Sequence, residues 1–229
     1  MKLTQRSWLE GARLTALVGH FGTGKTEVSV NMALALAELG YRVTLADLDV
    51  VDPYFRSREC GELFARRGVG LITSSQACVN ADVPSLPAQV QALFEPDSGF
   101  GVLDIGGDAS GARVLARYHT GLVQAGTRLL CVLNANRPLT NTPEKAVAYM
   151  KQIQTAAKLP ITGLVNNTHL CGQTTPEDVL SGADLARAVS QRTNIPLLCH
   201  TAVQTVIDHL PAMAEPVFPI TLYMKKPWE

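Results

Sequence analysis

Gly19-His20-Phe21-Gly22-Thr23-Gly24-Lys25-Thr26 decides how the chain is read. Its spacing is G-x-x-x-x-G-K-[ST], the pattern of a loop that cradles phosphates. Glycines let the backbone curl so that successive N–H groups point inward at phosphate oxygens. A helix opening near Gly24 adds its N-terminal dipole and free N–H groups. The pattern therefore assigns the whole loop, Gly19, His20, Phe21, Gly22, Thr23, Gly24, Lys25 and Thr26, to phosphate binding. Lys25 supplies a point charge for the β and γ phosphates, and the Thr26 hydroxyl is a ligand for Mg²⁺.

The flanks supply the context this motif needs. Leu14-Thr15-Ala16-Leu17-Val18 is a short apolar run of strand type. Val28, Met32, Ala35, Leu36 and Leu39 recur on one face of a helix, which Gly40 stops. Strand, loop and helix follow in that order.

Working outward, Arg42–Ala46 reads as a second strand running into Asp47-Leu48-Asp49. Asp47 and Asp49 share a face because Leu48 points the other way. Carboxylates at the C-terminal end of a strand, one βα unit after a phosphate loop, suit a Mg²⁺ hydration shell or an attacking water. Asp52 reads equally as a polar turn opening a helix at Pro53. Residues 54–66 read as a short helix; Arg56 and Arg58 are solvated charges there, with a phosphate or partner contact as the alternative. Val69–Thr73 is a third strand, 74–84 a loop, and Pro87 with Val90, Leu93 and Phe94 a short helix. Phe100–Asp108 is the second strong signal: an apolar strand ends in Asp104, and Gly106 and Gly107 follow. Such an aspartate holds Mg²⁺ or its water, and Gly107 lets a backbone N–H approach the γ-phosphate. Ala109 to Arg113 is expected to be the loop that senses that phosphate.

Arg128–Asn134 reads as a buried strand. Thr142 as N-cap, Pro143 at the first helical position and Glu144 in the first turn open a helix with Ala146, Met150, Ile153 and Ala157 buried. Pro160–Val165 is a strand ending in Asn166-Asn167-Thr168-His169. Asn166 and Asn167 read either as purine-edge contacts or as turn asparagines. No guanine-reading N-K-x-D is present there, which points to adenine. Thr175-Pro176-Glu177 starts a further helix that Gly182 is expected to break, and Ile195–His200 is a last core strand. The tail from Val217 reads as an edge strand or packed segment.

Composition bounds the rest. The 229 residues suit one α/β domain, 1–229. Lys+Arg and Asp+Glu are 20 each, so neither a nucleic-acid partner nor a membrane-coating surface is expected. The five cysteines, Cys60, Cys78, Cys131, Cys171 and Cys199, are dispersed without C-x-x-C, as in a reducing cytoplasm. No run reaches membrane-spanning length and the N-terminus has no signal-peptide core. A cytoplasmic protein without stable membrane insertion is expected.

Taken together, the loop at 19–26, Asp47-x-Asp49 and Asp104-x-Gly-Gly resemble the MinD/ParA/CobQ-type branch of P-loop NTPases, the SIMIBI class, over residues 14 to 200. The run from Asp47 to Arg58 with Val165–Leu170 is most similar to bacterial ATP-binding proteins of that branch. The resemblance implies a three-layer α/β/α sandwich around a mostly parallel, roughly seven-stranded sheet, with Mg-ATP at its carboxyl edge. It implies Asp49 as the residue that positions the hydrolytic water, catalytic together with Lys25. Thr26, Asp47 and Asp104 would act around Mg²⁺, with Asn166, Asn167, Pro143 and Glu144 near the base. The function it implies is a slow ATPase that switches an unidentified protein partner. The alternatives are a small-molecule kinase or ligase with a pocket near Arg56, Arg58 and Arg113, and a nucleotide-gated scaffold. Many members carry a lysine directly after the first loop glycine that reaches across a homodimer. His20 stands there, a shorter side chain than lysine, so a homodimer would lack that contact. Cys131 and Cys171 lack the pairing that iron–sulfur members need.

Overall fold

Eight strands form one sheet in the order β3-β2-β4-β1-β5-β6-β7-β8, and every neighbouring pair is parallel. This computed structural model describes residues 8–49, 60–73 and 88–224. The strands are β1 Leu14–Val18, β2 Val43–Leu48, β3 Val69–Thr73, β4 Phe100–Ile105, β5 Arg128–Leu133, β6 Ile161–Asn166, β7 Leu197–Ala202 and β8 Val217–Pro219. The helices of four or more residues are α1 Lys25–Glu38, α2 Gly61–Arg67, α3 Ala88–Ala92, α4 Ala109–Arg117, α5 His119–Gln124, α6 Pro143–Ala157, α7 Pro176–Thr193 and α8 Gln204–Ile207. The sheet has eight strands rather than seven because the tail pairs through β8 with β7, where His200 meets Val217.

β1 sits at the centre, between β4 and β5, and is buried along its length. That is why its sequence is an apolar run without alternation. Its side chains divide between two cores. Leu14, Ala16 and Val18 join Leu115, Met150 and Ile153 on one face. Leu17 joins Val28, Met32 and Leu36 of α1 on the other. Helices therefore cover both faces, the three-layer arrangement expected. β1 also marks the point where strand order reverses, the place where open α/β sheets bind ligands.

Two expectations need correcting. Ala109–Arg113 is not a loop but the start of α4, because the Asp108 side chain caps it by accepting from Gly111 N at 2.7 Å. Gly182 does not break α7, which runs to Thr193. A glycine is needed there because an added Cβ would collide with the side chains of Thr168 and Asn166. The apolar stripe of α1 is buried as expected, and Glu27, Ser29 and Asn31 are buried as well. The readings of Asp52, Arg56, Arg58, the loop 74–84, Pro87 and Cys78 lie outside the described residues. Cys60, Cys131, Cys171 and Cys199 are free thiols. No described helix is long and apolar enough to cross a membrane.

Candidate nucleotide site

The loop leaves β1 and turns into α1 through two left-handed glycines, Gly22 (φ 71°) and Gly24 (φ 78°). Gly24 is the N-cap of α1, and Thr23 N donates to His20 O at 3.1 Å, closing the turn. Gly24 has no room for a side chain: an added Cβ would overlap the Asn167 amide and stand 3.0 Å from His169 Nε2. Lys25 is 6% exposed, and its ammonium lies 5.9 Å from the Phe21 ring centre.

The acidic side is built by register. Asp47 of β2 stands directly opposite Asp104 of β4, and both are almost fully buried. Two carboxylates facing each other on adjacent strands repel. Burial, and then the Asp47 charge, push the Asp104 carboxyl up to about 7, against the pull of the Lys25 ammonium and the Thr26 hydroxyl. Asp104 Oδ1 accepts from Ser29 at 3.3 Å. Its Oδ2 is buried with no hydrogen-bond partner, as is the Thr23 hydroxyl. Asp49 is 6% exposed, and its N–H donates to Asp47 Oδ1 at 3.3 Å.

Gly107 closes the floor of the site. An added Cβ there would stand 3.0 Å from Phe21 N and 3.1 Å from Lys25 Nζ. Its carbonyl accepts from the Tyr149 hydroxyl at 3.2 Å, and burial keeps that phenol protonated. The His20 ring packs edge-to-face on Tyr149, 5.6 Å between centres, and on Phe21, 5.8 Å.

A divalent cation fits this half. The orphaned Asp104 Oδ2, the facing Asp47 carboxylate and the Thr26 hydroxyl are oxygen donors of the kind Mg²⁺ takes. Among the described residues no three His, Cys, Asp or Glu side chains cluster as metal ligands. Two carboxylates and a hydroxyl match an ion that keeps several waters.

The opposite half, at the ends of β5, β6 and β7, is built largely from amides and hydroxyls that pair with one another, with His169 Nε2 and the Thr140 hydroxyl buried and unpartnered. Asn166 donates to Val179 O at 3.0 Å and to His200 Nδ1 at 3.0 Å. Its carbonyl oxygen accepts from Thr168 N at 3.1 Å and the Thr168 hydroxyl at 2.8 Å. His200 Nε2 in turn meets Glu215, which pairs with Arg187 at 2.7 Å. The Arg187 hydrogen bond, then that to His200, hold Glu215 down at about 2, and burial depresses His200. Asn167 donates to Thr23 O at 2.7 Å and accepts from the Thr201 hydroxyl at 2.5 Å. The structure thus ties Asn167 to the phosphate loop and Asn166 to the fold.

Two residues in this half escaped the sequence reading. The Arg137 guanidinium donates to Gly22 O at 2.6 Å, and Asn134 donates to the same carbonyl at 3.4 Å. With Asn167, which holds Thr23 O, they tie two carbonyls of the loop to the ends of β5 and β6. The available signal was the run Asn134–Arg137 at the end of the strand next to β1. His169 closes the row: burial, then Arg137, press its imidazole down to about 4, so it is neutral near pH 7.

The geometry defines a P-loop nucleotide-binding site, and the comparisons agree. The family profile described as CbiA, CobQ/CobB/MinD/ParA nucleotide binding domain, matches residues 19–170, more than half of the chain. The chain belongs to that family, the MinD/ParA type of P-loop NTPase. No curated protein matches. Solved structures share the fold. FtsY from Mycoplasma mycoides is 20% identical with a TM-score of 0.56, over 82% of this chain and 58% of that one. Cell division protein FtsY from Thermotoga maritima is 20% identical with a TM-score of 0.60, over 88% and 65%. The signal recognition particle 54 kDa protein from Aeropyrum pernix, solved in complex with GDP, is 21% identical with a TM-score of 0.52, over 79% and 39%. The chain spans less than two thirds of the length of each.

Proposed function

We propose that the chain binds Mg-ATP and hydrolyses it slowly, as a nucleotide-dependent switch acting on a protein partner. The observation that carries this reading is the buried, in-register pair Asp47 and Asp104 beside the glycine loop, with Asp104 Oδ2 unpartnered. A carboxylate pair of that kind is costly to bury without a ligand.

In this reading the loop N–H groups and Lys25 bind the phosphates. Thr26, Asp47 and Asp104 hold Mg²⁺, which supplies charge neutralisation at the β and γ oxygens. The Asp49 carboxylate orients the attacking water and accepts its proton. Gly107 offers its N–H to the γ-phosphate, and its carbonyl anchor on Tyr149 makes that segment the part that reports the nucleotide state. Base recognition falls to the loops after β5 and β6, with Asn167 acting through the phosphate loop rather than on the base. His20, packed on Tyr149 of its own chain, favours a site completed by one protomer over one completed across a homodimer.

The test is calorimetry with ATP and GTP, with and without Mg²⁺, on the native chain and Lys25→Ala. Micromolar, Mg-dependent ATP binding, weaker GTP binding and loss in Lys25→Ala support the reading. GTP binding tighter than ATP overturns the base assignment. Binding indifferent to Lys25 overturns the site.

A further inference from the structure

Glu27 and Asn31 are polar, lie one helical turn apart on α1 and are 8% and 7% exposed. Among the described residues neither forms an ion pair. Both are spent on the backbone of one extended segment. Asn31 donates to Thr221 O at 2.9 Å and accepts from Thr221 N at 2.8 Å, the paired contact one strand makes with another. The two oxygens of Glu27 accept from Tyr223 N at 2.6 Å and Met224 N at 3.2 Å. Between them Leu222 is 45% exposed, and its N–H makes no hydrogen bond among the described residues. Phe218 and Ile220 are buried in the core beneath α1, with Phe218 edge-to-face on Trp8 at 5.0 Å.

We propose that this face of α1 is a binding site for an extended peptide, and that the chain's own segment Thr221–Met224 is its resident, exchangeable ligand. A helix has no unpaired backbone groups along its side. Glu27 and Asn31 substitute side-chain donors and acceptors for the missing strand edge, so the recognition reads main chain and tolerates side-chain change. The Thr221, Tyr223 and Met224 amides meet the clamp, and the Leu222 amide does not. The clamp begins one residue after Thr26, so whatever occupies it touches the first turn of the phosphate-loop helix. As a tethered ligand, the strap competes against free peptide at an effective concentration on the order of millimolar.

Two measurements test this, and neither needs a nucleotide. In the native chain, hydrogen exchange followed residue by residue should find Thr221 and Tyr223 amides protected and Leu222 exchanging at least about tenfold faster. Equal exchange at all three overturns the proposal. In the second, Thr221→Pro/Tyr223→Pro removes two donors from the strap and leaves α1 unaltered. That full-length variant should bind a fluorescent peptide of the native sequence 220–229 at least about tenfold more tightly than the native chain does. Leu222→Pro, which deletes no bonded donor, should behave as the native chain. A peptide carrying both prolines should not bind. Equal affinity of native chain and double variant, or equal binding of the proline peptide, overturns it. If the double variant does not fold, the exchange pattern decides alone.

Discussion

The two halves of the site are made from opposite materials. At the ends of β1, β2 and β4, Asp104 Oδ2 and the Thr23 hydroxyl are buried with no partner, and the Asp47 carboxylate, which accepts from Asp49 N–H, faces a like charge. At the ends of β5, β6 and β7, most buried polar side chains are paired, the Asn166 side chain alone making four hydrogen bonds, and the unpartnered atoms are a neutral imidazole nitrogen of His169 and the Thr140 hydroxyl rather than a carboxylate. The first half is where a charged ligand would relieve the fold. The second holds the first in shape through Gly22 O and Thr23 O. An unsatisfied buried group costs about 1–3 kcal/mol, so the contrast separates binding from stability.

Four substitutions or conditions press on that contrast. Lys25→Ala should weaken nucleotide binding by about 100-fold or more, since charge-assisted phosphate contacts are among the strongest a site makes, while the urea midpoint barely moves. A large fall in stability would show that the loop is scaffold too. Next, Asn166→Ala should cost roughly 2–3 kcal/mol in urea unfolding, because it strands Thr168, Val179 and His200 at once. A loss under about 0.5 kcal/mol would break the distinction. Asp104→Asn should raise the stability of the nucleotide-free protein by on the order of 1 kcal/mol, since a repelled, desolvated carboxyl becomes neutral. The same variant should lose the Mg²⁺ dependence of binding in calorimetry. Destabilisation would mean the carboxylate is already paid for within the fold.

The smallest effect concerns acid. His200 is depressed below its ordinary 6.5, so as pH falls below 6.5 the unfolded chain takes up a proton the folded one refuses, and stability drops. Glu215, lowered from 4.5 to about 2, acts in the same direction: its contribution is complete above 4.5 and disappears as pH falls through 2. Thermal melts between pH 8 and pH 5 should therefore decline less steeply in His200→Gln than in the native chain. An unchanged slope would remove His200 from the account.

The half around the glycine loop was far more legible in the sequence than the half at the ends of β5, β6 and β7. The loop at 19–26 is a local motif, and Asp47 and Asp104 are each marked by the apolar strand they terminate. Their function needs only that β2 and β4 lie side by side. Asn134 and Arg137 mean nothing until β5 is placed next to β1, a neighbour relation that spans more than 100 residues. Asn166 was ambiguous for a chemical reason: an amide at a strand end serves a base, a turn or a core equally well, and Val179 O and His200 decide which. Glu27 misleads most, since an acid in a helix's first turn ordinarily faces solvent and here the strap covers it.

β8 has one further consequence. Ile220 N–H is directed inward to Ala202 O, so the backbone nitrogen of Pro219 lies on the outer margin of the sheet, exposed and without a hydrogen. A strand of another chain seeking to extend the sheet there meets three residues, one missing donor, and then a backbone that peels away onto α1. Among the described residues the segment that adds the eighth strand thus also makes that edge of the sheet a poor template for edge-to-edge pairing.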